Sequence, residues 1–110
     1  MKELNIGLFG LGTVGSGIFT VLQRARNCHA RISRICVRSL SKPRAVEVPE
    51  NILTDNPADI LSDPDIDLVV EVIDNAEASF AIVSEAMRRG KSVVSGNKAM
   101  IARHLPELIE

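Results

Sequence analysis

Ile6-Gly7-Leu8-Phe9-Gly10-Leu11-Gly12-Thr13-Val14-Gly15 is where the chain declares its organisation. An apolar run rich in strand formers, Leu4 to Phe9, feeds directly into Gly10-x-Gly12-x-x-Gly15, and beyond it the apolar spacing becomes helical. Strand, glycine turn and helix therefore meet at one point. Gly10 permits a tight turn, Gly12 lets backbone approach a pyrophosphate with no side chain between, and Gly15 lets the helix lie close to its strand. The helix start adds unpaired N–H groups and the positive end of a dipole. The motif alone also fits an ordinary tight turn. The strand before it and the helix after it make Gly10, Leu11, Gly12, Thr13, Val14 and Gly15 a candidate dinucleotide cradle.

Moving outward, the spacing predicts a helix from Thr13, which can act as its cap, to about Ala25. Val14, Ile18, Val21, Leu22 and Ala25 form the stripe expected to face a sheet. A basic turn, Arg24 to Arg31, leads to a second strand at about Ile32 to Val37. In a dinucleotide fold the end of that strand is informative, because an acid there binds the adenosine ribose hydroxyls of NAD. This chain has Arg38 in that place, with Ser39, Lys42 and Arg44 close behind and no acid before Glu47. The cationic site favours the extra 2′-phosphate of NADP, with NAD the alternative if the basic run is only a solvated loop.

Ser39 to Pro49 reads as a loop, followed by a short third strand around Ile52 to Thr54. Asn56 as N-cap and Pro57 at the first helical position predict a brief helix ending by Ser62. Asp63-Pro64-Asp65 is a turn. Asp67 to Ile73 is a near-continuous apolar strand suited to a parallel sheet covered on both faces. Glu77 to Arg89 reads as a second long helix with Ala76, Phe80, Val83 and Met87 on one stripe, flanked by Ile82 and Ala86. Arg88 and Arg89 fall in its last turn and Gly90 just past its end. Lys91 to Ser95 is a fifth strand, Gly96-Asn97-Lys98 a turn, and Ala99 to Ala102 helical. Pro106 to Glu110 reads as the first turn of a helix that continues in a longer protein. The alternation predicts a doubly wound (Rossmann) α/β domain over residues 1–110, with a parallel sheet of about five strands and helices on both faces.

Composition narrows the functional classes. With 13 basic and 14 acidic residues the net charge is -1, which points to no nucleic acid and no membrane surface as partner. The apolar run Leu68 to Ile73 is too short to span a bilayer and is broken by Glu71. Met1-Lys2-Glu3-Leu4 enters a strand at once, without the basic segment and apolar core of a signal peptide, so the expected address is cytoplasmic. Cys28 and Cys36 lack CxxC spacing and read as reduced thiols. His29 and His104 have no partners at ligand spacing, so no metal site is expected. Glu71, an acid inside an apolar strand, is either a buried base or a carboxylate satisfied by neighbouring backbone N–H groups. There is no serine nucleophile elbow and no P-loop lysine.

Two further stretches carry a resemblance. Asp63-Pro64-Asp65-Ile66-Asp67-Leu68-Val69-Val70-Glu71-Val72-Ile73 and Gly90-Lys91-Ser92-Val93-Val94-Ser95-Gly96-Asn97-Lys98-Ala99 resemble the cofactor domain of homoserine dehydrogenase. So does Gly10 to Gly15 with Gly17 after it. Members of that family reduce aspartate 4-semialdehyde to homoserine with NAD(P)H, on the route to threonine and methionine. The resemblance implies Thr13 and Val14 at the phosphates and Arg38 at the 2′-phosphate. It implies Asn75, Gly96 and Asn97 as further cofactor contacts, and Lys98 as the catalytic residue beside nicotinamide and substrate. Asp74-Asn75 departs from the family's small residues at the end of the fourth strand, and Ser95-Gly96 from its more frequent Thr-Ala. The resemblance further implies a substrate-binding and dimerising region beyond residue 110, and a homodimer for the whole enzyme. Two other readings share the glycine turn: a stand-alone redox-cofactor-binding module, and a related amino-acid dehydrogenase such as one acting on aspartate.

Overall fold

The computed structural model describes residues 4–24, 30–40, 48–73 and 75–96, with 13, 23 and 24 described in backbone only. Five strands form one parallel sheet: β1 (Leu4–Phe9), β2 (Ala30–Cys36), β3 (Leu53–Thr54), β4 (Leu68–Glu71) and β5 (Ser92–Ser95). Three α-helices cover it: α1 (Thr13–Arg24), α2 (Ala58–Leu61) and α3 (Ala76–Arg88), with a single 3-10 turn at Glu50–Ile52 before β3. The spatial order is β3-β2-β1-β4-β5. The chain builds outward from β1 to β3, then returns across the sheet to place β4 on the other side of β1. That reversal opens a crevice between β1 and β4 at the carboxyl edge, where doubly wound sheets bind ligands.

Alternation along β1 explains why the sheet has two cores. Ile6 and Leu8 point to one face, where Phe19 of α1 joins Ile35 and Val70. Phe9 points to the other, into a cluster with Ile60 and Leu61 of α2, Val69, Ile66 and Ala86 of α3. Gly7 shares this second face, and a Cβ there would lie 2.4 Å from the Ile60 Cγ2. The missing side chain lets α2 sit directly on the strand. Ser33, a polar residue in β2, occupies an irregularity: register passes from Ile6↔Ile32 to Gly7↔Arg34, and the Ser33 hydroxyl donates to the Ile6 carbonyl at 3.3 Å. A bulge thus accommodates the residue that breaks the apolar pattern.

The helices are where the sequence pattern needs correction. Val14 and Val21 are 61% and 66% exposed, while Ser16 and Phe19 are buried and Gly15 lies against the strand. The sheet-facing stripe of α1 is therefore turned away from the expected one. Ile18 and Leu22 remain packed at its border, and with Val14, Gly17 and Val21 they line an open apolar depression on the outer side. Gly12, rather than Thr13, takes the N-cap position, because its carbonyl accepts the Ser16 N–H at 2.8 Å. In α3 the buried residues are Ser79, Val83 and Ala86, and Met87 is 47% exposed. Small residues set both faces, because close approach to a sheet rewards missing volume as much as apolar surface.

Local signals otherwise translate directly. The Asn56 side chain accepts the Ala58 N–H at 3.1 Å to start α2. At the end of α3 the Gly90 N–H donates to Met87 and the Lys91 N–H to Ala86, both at 3.0 Å, with Gly90 at φ +80. This is a Schellman closure, and it needs a residue free to adopt the left-handed region. Strand β4 is shorter than expected, since Asp67 instead accepts the Asn5 N–H through its carboxylate at 3.0 Å. Among the described residues no helix is long and apolar enough to cross a membrane. Lys42, Arg44, Glu47, Cys28, His29, Asp74, Asn97, Lys98, His104 and the two expected C-terminal helical stretches lie outside the described residues.

Candidate dinucleotide site

Register places the ends of all five strands in one row. Thr54 pairs with Cys36, Cys36 with Phe9, Phe9 with Glu71 and Glu71 with Ser95. One residue further on, the backbone still bonds across. The Val37 N–H reaches the Thr54 carbonyl at 2.8 Å and the Gly10 N–H the Cys36 carbonyl at 3.0 Å. The Val72 N–H reaches Phe9 at 3.0 Å and the Gly96 N–H reaches Glu71 at 2.8 Å. Everything after that row belongs to one carboxyl edge: Arg38 beyond β2, the glycine turn beyond β1, Val72 to Asn75 beyond β4, and Gly96 beyond β5. The glycine turn sits between Arg38 on one side and Gly96 on the other.

Each glycine of the motif answers a different constraint. Gly10 has φ +100, and a Cβ there would lie 3.1 Å from the Ile73 Cγ2 and 3.2 Å from the Val72 carbonyl oxygen. Turn geometry requires it. Gly15 would place a Cβ 2.1 Å from the Gly10 carbonyl oxygen, so the first turn of α1 rests on the turn that precedes it. At Gly12 a Cβ would meet nothing within 4 Å. Internal packing accounts for Gly10 and Gly15 and leaves Gly12 open to the crevice. The Ser16 hydroxyl braces the same loop by donating to the Leu11 carbonyl at 3.0 Å. The residue-type pattern had no signal for that brace, because a serine inside a helix usually faces solvent. A helix that starts at Thr13 leaves the N–H groups of its first turn without intrahelical acceptors and aimed into this opening.

The other candidates divide. Arg38 is exposed two residues past β2, on the β2 side of the glycine turn. Asn75 uses its side-chain oxygen to cap α3, accepting the Ala78 N–H at 3.0 Å. Gly96 is exposed, and a Cβ there would lie 3.2 Å from the Val72 Cγ1.

Glu71 is fully buried, and its two readings from sequence can now be separated. One carboxylate oxygen accepts the Ile73 N–H at 2.8 Å; the other accepts the Ser79 hydroxyl and, at 2.7 Å, the Ser95 hydroxyl. The carboxylate is thus satisfied by one backbone N–H, as one reading had it, and by two serines that the sequence pattern did not connect to it. Burial of such a group without partners is costly, and with three donors it becomes a fixed point.

The family follows from comparison with known proteins. The model of the homoserine dehydrogenase NAD-binding domain matches residues 10–110. The chain belongs to this family. It is 37% identical to homoserine dehydrogenase of Bacillus subtilis (strain 168), over 99% of its own length and 27% of the relative's. It is 40% identical to that of Synechocystis sp. over 97% of its length and 26% of the relative's. A crystal structure of Staphylococcus aureus homoserine dehydrogenase at pH 6.0 superposes with a TM-score of 0.88 at 36% identity, covering 99% of this chain and 30% of that one. The chain therefore spans about a quarter of the length of the curated relatives it matches. Homoserine dehydrogenases share the five-stranded doubly wound sheet described above.

Proposed function

We propose that this chain is the cofactor-binding domain of an NADP-preferring oxidoreductase that reduces aspartate 4-semialdehyde to homoserine, on the route to threonine and methionine. The observation that carries the reading is the geometry of the glycine turn at the reversal of strand order, where Gly12 alone has no internal reason to lack a side chain. Backbone N–H groups of Gly12 to Gly15 hold the pyrophosphate, helped by the positive end of α1. Arg38 holds the 2′-phosphate through charge-assisted hydrogen bonds. Leu11, Thr13 and Val14 flank the phosphates, and Asn75, Gly96 and Asn97 flank the nicotinamide half.

When bound, the reduced nicotinamide supplies the hydride. Lys98, in the turn after β5, anchors a substrate or ribose oxygen and takes part in proton transfer there. Substrate positioning belongs to the rest of a homodimeric, cytoplasmic enzyme, and holding the acceptor in near-attack geometry supplies on the order of 7 kcal/mol or more of the barrier. The protein carrying this domain, supplied with NADPH, should consume it with aspartate 4-semialdehyde, followed by loss of absorbance of the reduced cofactor. Consumption with a different amino-acid-derived carbonyl compound, and none with this aldehyde, would remove the substrate assignment.

A further inference from the structure

Glu71 lies beneath the half of the carboxyl edge that Arg38 does not reach. Its carboxylate joins three segments that have no other reason to move together. The Ile73 N–H belongs to the strand-end segment after β4, the Ser79 hydroxyl to the first turn of α3, and the Ser95 hydroxyl to the end of β5. Its own carbonyl accepts the Gly96 N–H, so the residue that opens the turn after β5 hangs from the same place. The side chain is fully buried, and among the described residues no buried side-chain polar atom is left without a partner. An anion close to the start of α3 is also favoured by that helix's dipole.

Glu71 touches neither the glycine turn nor the end of β2. In a doubly wound fold the two halves of the sheet bind the two nucleotides of the cofactor, and the β1–β3 half with Arg38 takes the adenosine. The β4–β5 half is left for the nicotinamide. We propose that Glu71 is a positioning residue for that nicotinamide half. It fixes the spacing between the residue 72–75 segment and the turn that begins at Gly96, without itself contacting the cofactor. The inference rests on the dinucleotide reading above and adds to it a division of labour between the two halves.

The consequence is a split between ligands. In Glu71→Gln the amide oxygen can keep the Ile73 N–H, while the amide nitrogen meets two hydroxyls that can rotate to accept, so shape survives and the charge is lost. Calorimetric titration of the whole protein with NADPH should then weaken about tenfold, the step carried by ~1.4 kcal/mol. Titration with 2′-phospho-ADP-ribose, which lacks the nicotinamide, should match the wild type. The emission of bound NADPH, which reports the surroundings of the nicotinamide, should shift toward that of free cofactor. If Glu71→Gln unfolds, Ser95→Ala removes one of the three hydrogen bonds and should show the same split at smaller amplitude.

A folded variant that binds both ligands as the wild type does, or loses both equally, overturns the proposal. Wild-type protein that binds neither ligand overturns the dinucleotide reading itself, which is a distinguishable result.

Discussion

Arg38 is the residue on which cofactor choice turns. It stands exposed just past β2, where an acid would bind ribose hydroxyls, and its guanidinium can take a phosphate instead. Hydrogen bonds to a charged group contribute roughly 1.5 to 3 kcal/mol, or about tenfold to a hundredfold in affinity. Arg38→Ala should therefore erode the preference for NADP by that factor and leave NAD affinity nearly unchanged. Calorimetry or the fluorescence of the reduced cofactor serves as the probe, since the chain has no Trp and no Tyr. Equal affinity for the two cofactors in the wild type would reduce Arg38 to a loop residue. Cys36, on the neighbouring strand end, makes a different prediction. Burial, reinforced by the charges of Asp55 and Asp59, pushes its thiol up from 9.0 to about 11. Between those values the folded chain keeps a proton that the unfolded chain has released. The associated stability is complete below pH 9 and is lost as pH rises toward 11, on the order of 2 kcal/mol in all. Urea titrations at pH 8 and pH 10.5 should show a steeper fall for the wild type than for Cys36→Ala, whose packing loss is present at both. Parallel falls would mean the thiol is not responsible.

Among the elements, α1 shows why some of the fold was legible and some was not. Its place, length and glycine-led start follow from Gly10 to Gly15, since no other arrangement of those residues serves a strand-to-helix turn so economically. Its rotation does not follow. Counting apolar residues selects Val14 and Val21, yet the sheet is met by Gly15, Ser16 and Phe19, because the helix comes so close that only small residues fit beside its one large anchor. The same holds for α3, where Ser79 and Ala86 are buried in preference to Met87. Ser79 is buried for its bond to Glu71, a pairing across eight residues that no periodicity encodes. Two substitutions on α1 make the point measurable. Gly15→Ala drives a Cβ against a backbone carbonyl that no flexible side chain can relieve, and should cost about 1–3 kcal/mol or more. Val21→Lys, at a position the pattern assigns to the core, should cost well under 1 kcal/mol, as surface changes do. Thermal melts followed by circular dichroism decide between them. A large loss at Val21 with none at Gly15 would return the helix to the orientation read from its apolar spacing.

At the scale of the whole molecule, the strand order β3-β2-β1-β4-β5 does one thing for function: it separates β2 from β4 on either side of β1 and leaves the glycine turn between them. The alternation of strands and helices made this order readable, because right-handed crossovers leave few others available. What the pattern could not supply was the levelling of the strand ends at Thr54, Cys36, Phe9, Glu71 and Ser95, which comes from register. That levelling places Arg38, the glycine turn and Gly96 on one edge, and the central claim is that a dinucleotide lies across it with its pyrophosphate at Gly12. Gly12→Val tests this most directly. The new side chain meets no protein atom near its Cβ, so the melting temperature should stay within a few degrees of the wild type. The branched group would occupy the space needed by the phosphates, and calorimetric NADPH affinity should fall a hundredfold or more, on the order of 3 kcal/mol. A variant that melts normally and binds NADPH as tightly as the wild type would contradict the account.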